Sequence, residues 1–176
     1  FHNIQISDSR IDSDKEYASN ITFNIAEGTK IKIKEIDIKG AQQVKNWKIK
    51  SKLKKNKEWR WYLPWRGKFS ESNIAEDNKS LDHYFKQKGY KDFFVIDNKH
   101  NVVDGGIKLT HSLYEGPKYK YRNFTWNGNE IISNEELNEA LELDNGEVYN
   151  YVKFNTSLYQ NVYSLYMDKG YLNLNL

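Results

Sequence analysis

The chain repeats a short pattern of glycine and apolar residues at fixed internal distances. Glu27-Gly28 precedes Gly40 by the same interval that separates Glu115-Gly116 from Gly128. Apolar residues fall at matching positions in between, as Ile31, Ile33, Ile36 and Ile38 in the first copy and Tyr119, Tyr121, Phe124 and Trp126 in the second. A repeat at fixed spacing is typical of an array of small modules rather than of one large domain.

Each copy of the pattern predicts a strand that changes phase part-way. The apolar residues alternate with period two, as a half-buried strand requires. In both copies the phase shifts at the same place, between Ile33 and Ile36 and between Tyr121 and Phe124. A shared shift indicates a β-bulge or a short break between two strands. The glycine that follows each copy predicts a turn with positive φ.

Two helices are predicted after each of these strands. Ser133 with Glu136 three residues later is a capping-box pattern and marks the start of one of them. The second helix of each copy ends at a glycine, Gly89 or Gly170, which suits a left-handed C-cap. The apolar stripes that define the helices are Val44, Ile49 and Leu53, then Ile74, Leu81, Tyr84 and Phe85, and in the second copy Ile132, Leu137 and Leu141, then Phe154, Leu158, Val162, Leu165 and Tyr166.

Two further strands complete the first copy. Residues 90–96 read as one strand, residues 98–106 as a turn-rich connection, and Ile107, Leu109 and Leu113 as an alternating strand that reaches Glu115. The same last strand occurs upstream, because Ile21, Phe23 and Ile25 match the apolar phase of residues 109–113. Residues 1–27 therefore predict the closing hairpin of a preceding module, with residues 1–6 as one of its strands.

The element order strand-helix-helix-strand-strand predicts an α+β fold made of tandem modules. Each module would be a small three-stranded mixed sheet covered on one face by two helices. We expect residues 1–27 to end one module, residues 28–115 to form a complete one, and residues 116–176 to begin another. Because the chain starts with Phe1 rather than methionine, we expect it to be a piece of a longer protein.

This order of elements, with Glu-Gly before the first strand and Gly-Tyr after the second helix, resembles the POTRA (polypeptide-transport-associated) family. A Trp-rich insertion between the helices, Glu58 to Lys68, looks like that of the second POTRA domain of BamA, which makes the last module similar to the third. The resemblance implies the periplasmic part of an outer-membrane protein assembly factor. Implied partners are unfolded outer-membrane clients and accessory lipoproteins, with the membrane barrel lying elsewhere. Arrays of two-partner secretion or translocation-assembly transporters, and generic protein-interaction modules, are the alternatives.

An exposed edge strand predicts how such a module binds its clients. Unpaired backbone groups at a sheet edge accept an extended peptide by β-augmentation. We expect this edge in the second strand, with residues 171–176 and 1–6 as its equivalents in the neighbouring modules. A groove between this strand and the second helix, lined by Phe93, Tyr84 and Lys88, is expected to take the client's side chains. An edge without any guest remains the alternative. The predicted edge residues are Lys91, Phe93, Phe94, Val95, Ile96, Tyr171 and Leu172.

The stretch from Lys45 to Lys68 carries ten lysines and arginines against one glutamate, with four tryptophans interleaved. Such a segment suits a lipid headgroup layer or single-stranded nucleic acid. Tryptophans that fold back on their own module or dock a neighbouring subunit, with solvated lysines, are favoured over lipid contact. Nucleic acid is disfavoured because the rest of the chain shows no matching basic surface. The predicted lipid or partner contacts are Trp59, Arg60, Trp61, Trp65 and Arg66.

The remaining expectations concern hinges and chemistry. Glu27, Gly28, Glu115 and Gly116 are predicted to mark the hinges between modules. The absence of cysteine excludes disulfides and thiolate metal sites. The four histidines are scattered without metal-ligand spacing, and His111 falls on the inward phase of a strand. We therefore expect no enzyme activity, no catalytic or metal residues, and no cofactor.

Overall fold

The computed structural model of the protein describes residues 5–12, 19–26 and 31–176. The fold is α+β, as predicted. Its strands are β1 (Gln5–Asp12), β2 (Ser19–Ala26), β3 (Ile33–Lys39), β4 (Phe94–Val103) and β5 (Gly106–Tyr114). Its helices are α1 (Asn46–Lys52), α2 (Ile74–Gln87), α3 (Asn134–Leu141), α4 (Tyr151–Thr156) and α5 (Tyr163–Asp168).

The first two strands form an antiparallel pair in which Gln5 lies opposite Ala26 and Asp12 opposite Ser19. The predicted antiparallel pair is thus present, but β1 extends to Asp12, beyond the residues 1–6 predicted for this strand. Residues 1–4, which were expected to begin its first strand, lie outside the described residues. Ile6, Phe23 and Ile25 are exposed although their alternation is that of a buried face. The pair consequently has the pattern of a sheet fragment whose covering helices are not supplied by residues 31–176.

The second sheet is three-stranded and mixed, in the order β3-β5-β4. Strand β5 lies in the centre, parallel to β3 and antiparallel to β4. Its inward residues, among them Leu109, His111 and Leu113, are buried. The predicted mixed sheet is confirmed, and only β3 and β4 can serve as its edges.

The predicted phase shift in the first strand is confirmed as a register shift between Ile33 and Glu35 in β3. The turn after β3 requires a glycine for a steric reason as well as for its positive φ of 87°. A Cβ at Gly40 would lie 2.0 Å from the carbonyl oxygen of Leu113. No side chain fits there without moving the central strand, so Gly40 allows the chain to cross the end of the sheet.

The position predicted for the second strand of the complete module is wrong. It was expected over residues 90–96, but β4 begins at Phe94 and continues to Val103. Residues 90–93 instead close the end of α2, where the N–H of Tyr90 donates to the carbonyl of Phe85 at 3.0 Å. The expected turn over residues 98–106 is reduced to two residues, 104 and 105. Polar residues are tolerated in this strand because an edge strand leaves most of its side chains in solvent.

The helices α1 and α2 cover one face of this sheet and enclose its core. Asp77 of α2 is fully buried, and its carboxylate accepts hydrogen bonds from the backbone N–H groups of residues 54, 55 and 56 at 2.7–2.9 Å. This carboxylate holds the segment after α1 against α2. The core consists of Ile33, Ile36, Ile38, Ile49, Leu53, Leu81, Phe85, Tyr90, Phe93, Leu109 and Leu113.

Residues 121–174 enclose a second, separate cluster. Its helix α3 begins with the predicted capping box, in which Ser133 and Glu136 bond each other's backbone N–H groups. Helices α4 and α5 are joined by a π-helical segment, Ser157–Val162, which sequence did not predict. The cluster contains Tyr121, Ile132, Leu137, Leu141, Leu143, Val162 and Tyr166.

Two strands expected in this last part are absent from residues 117–176. Residues 119–126 form only one isolated bridge, between Lys120 and Val148. Tyr171 and Leu172, expected to lie in an edge strand, are exposed and outside any strand. The positive φ of 53° at Asn123 interrupts the extended run where the phase shift was predicted. Within the described residues, the 119–126 segment instead pairs briefly with residues 147–149, where the N–H of Tyr121 donates to the carbonyl of Glu147 and the N–H of Tyr149 donates to that of Tyr119.

Candidate interaction surfaces

The outer flank of β4 is the open edge of the three-stranded sheet. The direction of its backbone groups follows from the register. Ile107 donates its N–H to Lys32 at 2.8 Å, on the β3 side of the central strand. Because backbone groups alternate sides along a strand, Leu109 and His111 also direct their N–H and C=O groups toward β3. Each of these three β5 residues therefore forms a non-hydrogen-bonded pair with the β4 residue opposite it. The β4 residues at those positions, Val102, His100 and Asn98, present their N–H and C=O groups away from β5.

The two faces of β4 differ in their side chains. On the helix-covered face, Asn98 Oδ1 accepts a hydrogen bond from His111 Nδ1 at 2.5 Å, and the His100 ring lies 4.9 Å from the Phe69 ring. Burial lowers the pKa of His111, although the charge of Asp77 acts in the opposite direction. His111 is therefore a buried, hydrogen-bonded neutral side chain, as its strand phase predicted.

The open face of the sheet carries an exposed aromatic pair at one end. Phe94 is 53% exposed and lies 5.1 Å from the ring of Tyr114. A bulge between Val95 and Asp97 inserts Ile96, which is also exposed. Val95 packs against the core instead. Of the predicted edge residues in this module, Phe94, Val95 and Ile96 lie in the strand.

Lys91 and Phe93 do not belong to this edge, which corrects the sequence expectation. Both precede β4. Phe93 is 3% exposed and stacks on Phe85 at 4.0 Å with nearly parallel rings, so it is part of the core. Tyr84 faces away from β4, since its ring lies 5.2 Å from the Lys52 ammonium on the α1 side. The expected groove between Phe93 and Tyr84 is not formed.

The opposite edge of the sheet is covered by the Trp-rich insertion. Ile33 of β3 donates its N–H to Gly67 and accepts from the N–H of Trp59, both at 2.7 Å. Further along β3, the N–H of Ile36 donates to the carboxylate of Glu58 at 3.0 Å. The insertion thus occupies backbone groups that a guest strand would need, which leaves β4 as the available edge.

Residues 31–116 match the family model described as POTRA, surface antigen variable number repeat. Residues 31–116 are a POTRA domain. The β3-β5-β4 sheet under two helices is the fold that the element order predicted for this family.

Relatives extend the similarity beyond this domain. The outer membrane protein assembly factor BamA of Buchnera aphidicola subsp. Acyrthosiphon pisum is 29% identical over 163 residues, which is 90% of this chain and 26% of that protein. BamA of Nitratidesulfovibrio vulgaris is 25% identical over 129 residues, 72% of this chain and 16% of that protein. The chain is therefore similar to part of BamA over more residues than the POTRA domain alone. It spans 16–26% of the length of the curated relatives that it matches.

A solved structure of the family shows limited global similarity. The crystal structure of Haemophilus influenzae BamA POTRA3-5 matches with a TM-score of 0.49 and 17% sequence identity. The match covers 96% of this chain and 62% of that one.

Within the insertion of the POTRA domain, the tryptophans divide into two groups. Trp59 is half-buried beside β3, with the Lys32 ammonium 4.7 Å from its ring. Trp61 and Trp65 are 80% and 68% exposed, and Trp47 of α1 is 64% exposed. One of the four tryptophans therefore folds back on the module, and three do not.

Basic residues surround a shallow cavity between α1 and the insertion. The cavity has a volume of about 250 Å³, and its lining includes Lys50, Lys57, Arg60 and Arg66. At its base, burial of Glu58 opposes ionisation, but hydrogen bonds from Lys50 and from the Ile36 N–H, with the charges of Lys50 and Arg60, outweigh it and lower the Glu58 pKa. The one carboxylate is thus already engaged with Lys50 at 2.9 Å and Arg60 at 3.0 Å.

The junction after the POTRA domain is more restrained than its Glu-Gly sequence indicates. Glu115 is 4% exposed, and its carboxylate accepts hydrogen bonds from the N–H groups of Gln42, Gln43 and Val44. Glu115 therefore fixes the end of β5 to the turn before α1. The backbone turns at the next residue, Gly116, whose φ is +73°.

Contacts beyond Gly116 restrain the junction further. Tyr119 donates its N–H to the carbonyl of Gly89 at 2.8 Å and its hydroxyl to Asp92 at 2.6 Å. The second hydrogen bond raises the pKa of Tyr119. Glu27 and Gly28, the corresponding hinge prediction upstream, lie outside the described residues.

Sequence reasoning missed three structural contributors, namely Glu58, Asp77 and Gly67. Two are lone carboxylates that bind backbone N–H groups, and the third supplies a carbonyl to β3. The available signal was weak: Glu58 is the only acidic residue between Lys45 and Lys68. The structure describes no cluster of three or more His, Cys, Asp or Glu residues that could hold a metal ion. Among the helices of residues 5–12, 19–26 and 31–176, none has the length and apolar character needed to cross a bilayer.

Proposed function

We propose that this chain is part of the periplasmic segment of an outer-membrane β-barrel assembly factor and that it binds unfolded outer-membrane proteins. The relatives named above are outer membrane protein assembly factors, and the POTRA domain supplies a small sheet with one open edge. The role is that of a scaffold and chaperone rather than of an enzyme. Residues 1–27, 28–115 and 116–176 would belong to three successive modules, with two separate hydrophobic clusters supporting the second boundary.

The proposed binding mode is addition of an extended client strand to β4. Asn98, His100 and Val102 offer outward-directed backbone groups along this strand. Backbone hydrogen bonds do not depend on the client's side chains, so one edge serves many different sequences. The single observation that carries this proposal is the asymmetry of the sheet: β3 is bonded to the insertion, whereas β4 has no neighbour beyond it in the described chain.

Binding by one such edge is expected to be weak and reversible. Each hydrogen bond contributes roughly 0.5–1.5 kcal/mol net, and ordering an unfolded client opposes binding. Several POTRA domains in one protein would increase the overall affinity by keeping a released segment close to the next edge. Weak capture suits a factor that must hand its clients on.

Accessory lipoproteins are the second class of partner that we propose for the segment. Exposed apolar side chains of the last part of the chain, including Ile131, Tyr159 and Leu172, are candidate contacts for them. The exposed apolar side chains of β4, namely Phe94, Ile96, Val102 and Val103, lie in a different part of the chain, so client binding and subunit docking would use different surfaces.

A proline substitution at His100 tests the edge. His100→Pro removes an outward N–H and places a ring in the path of a guest strand, while the ladder with β5 is kept. His100→Ala is the matched control, because it loses the same contact with Phe69 but retains the N–H. The probe is a synthetic peptide of about ten alternating apolar and polar residues, the pattern of a barrel strand. Binding is measured from the amide NMR shifts of β4.

His100→Pro is expected to weaken peptide binding about fivefold or more relative to His100→Ala. The thermal unfolding of both variants verifies that the sheet is intact. Equal binding by the two variants, or peptide-induced shifts that lie outside β4, would exclude this edge as the client site.

A further inference from the structure

The exposed aromatic and basic side chains of α1 and the insertion form one surface on the covered edge of the sheet. We define this insertion surface by Trp47, Lys57, Arg60, Trp61, Trp65 and Arg66. Trp47, Lys57, Arg60 and Arg66 line the same shallow cavity, and Trp61 and Trp65 are neighbours of the two arginines in the chain. The surface is therefore continuous across two elements that are separated in sequence.

The backbone of the insertion is held in place while these side chains remain in solvent. Ile33 fixes it at Trp59 and Gly67 through two 2.7 Å hydrogen bonds, and Arg60 and Leu63 form an isolated bridge within it. Despite this, Trp61 and Trp65 keep more than two thirds of their area exposed. Large apolar groups on a fixed support, rather than on a collapsed loop, indicate an interaction surface.

The charge of the chain is strongly segregated toward this surface. Residues 45–68 carry ten lysines and arginines and one glutamate, whereas the whole chain has a net charge of only +3. The rest of the chain is therefore net acidic. Glu58 is bonded to Lys50, Arg60 and the Ile36 N–H, so it leaves the other cations of the insertion surface uncompensated.

We propose that the insertion surface docks on an anionic phospholipid bilayer. Tryptophan beside arginine and lysine is suited to the interface of a bilayer, where the indole lies among headgroups and the cations meet phosphates. The shallow basic cavity has the dimensions and charge for a phosphate group. A protein partner would instead have to provide a shape-complementary pocket for each of the three tryptophans, whereas a fluid bilayer interface accommodates side chains that are 64–80% exposed without such pockets.

The position of the insertion surface determines where the open edge of β4 would lie relative to the lipid. It lies on the β3 side of the sheet, and β4 lies on the other side of the central strand. A POTRA domain that rests on lipid through the insertion would keep its open edge directed away from the lipid. Lipid docking and peptide binding are thus separate properties and can fail independently.

Vesicle co-sedimentation of the 176-residue chain tests the proposal. The probes are vesicles of phosphatidylcholine alone and vesicles in which about one third of the lipid is phosphatidylglycerol. The expected result is binding to the anionic vesicles that weakens with salt. Two variants test the two kinds of contact: Trp61→Ala/Trp65→Ala removes exposed tryptophans, and Lys57→Glu/Arg60→Glu reverses two positive charges. Because each cation near an anionic surface contributes about 1 kcal/mol, the charge variant should bind at least about tenfold more weakly.

Matched controls carry the same kinds of change elsewhere. Tyr159→Ala removes an exposed aromatic side chain from the last part of the chain, and Lys99→Glu/Lys169→Glu reverses two exposed cations. Both controls should bind like the unmodified chain, and samples without vesicles exclude self-association. Absence of vesicle binding, equal binding to neutral and anionic vesicles, or equal losses in the controls would overturn the proposal. Thermal unfolding checks that each variant is folded.

Discussion

The carboxylate of Glu58 accepts the backbone N–H of Ile36 at 3.0 Å, in place of the neighbouring strand that an edge residue lacks. Through this bond the insertion takes the role of a fourth, irregular strand beside β3. Lys50 and Arg60 keep the carboxylate ionised and oriented. A basic segment thus needs its one acidic residue to close the sheet edge.

Glu58→Ala is expected to destabilise the POTRA domain by about 1–3 kcal/mol, because the Ile36 N–H loses its acceptor beneath the insertion. Chemical denaturation measures the change. Glu71→Ala, an exposed carboxylate in the short helical turn before α2, is the control and should change stability little. If the control lost the same stability, the effect would come from removing any negative charge and not from losing the Glu58–Ile36 hydrogen bond.

The pH dependence of stability provides a second prediction for Glu58. Its pKa is lower in the folded protein than the ordinary value of 4.5. Its ionised form therefore adds stability above the unfolded-state pKa, and this contribution disappears as the pH falls through the folded-state pKa. The stability difference between the unmodified chain and Glu58→Gln should shrink as the pH is lowered from about 6 to about 3. A difference that stays constant over this range would contradict the assignment.

Glu115 gives a prediction about the Glu-Gly motif itself. Its carboxylate accepts three backbone N–H groups from the turn before α1. Glu115→Ala should cost about 2–4 kcal/mol, and the amides of Gln42, Gln43 and Val44 should lose protection in hydrogen exchange. Glu135→Ala, at an exposed helix start, is the matched control. Unchanged protection at these three amides would mean that the motif acts as a hinge only.

The parts of the fold that sequence predicted are those in which local chemistry and burial agree. The bulge in β3, the Gly40 turn, the Ser133–Glu136 capping box and the core faces of α2 and β5 each left a local pattern. Strand β4 did not leave such a pattern, because its polar stretch from Lys99 to Asn101 is exposed and carries no apolar alternation. Its extent is set by pairing with β5, which is a long-range property.

The candidate site was predicted in outline for the same reason. An edge strand follows from the element order, but which residues face the guest depends on register. Phe93 and Phe94 are adjacent and chemically alike, and only the structure shows that one stacks on Phe85 while the other is exposed. The covering of β3 by the insertion could not be predicted from the sequence either, because it is made by backbone groups of Trp59 and Gly67.

This pair of phenylalanines supplies a further test. Phe93→Ala removes a buried ring and should cost about 3–5 kcal/mol, whereas Phe94→Ala should cost less than about 1 kcal/mol. If peptide binding uses the open face of β4, Phe94→Ala should reduce it without unfolding the sheet. Thermal unfolding together with the peptide titration separates the two effects. Equal stability losses would contradict the assignment of Phe93 to the core and Phe94 to the edge.

Contact between the POTRA domain and the following segment is tested at Gly89. Its φ is +99°, and a Cβ there would lie 2.7 Å from Val148 Cγ1 and 3.1 Å from Lys118 Cγ. Gly146 has a similar φ of +87° but no atom within 4 Å of its Cβ position. Alanine at Gly146 thus measures the strain of a left-handed residue alone, about 1 kcal/mol. Gly89→Ala adds a steric clash, and the shifted Gly89 carbonyl would weaken its bond to the Tyr119 N–H. We expect Gly89→Ala to cost at least about 1 kcal/mol more than Gly146→Ala, with increased hydrogen exchange at Tyr119 only in the former. Equal losses of stability in the two variants would show that the POTRA domain and the following segment are not in close contact at Gly89.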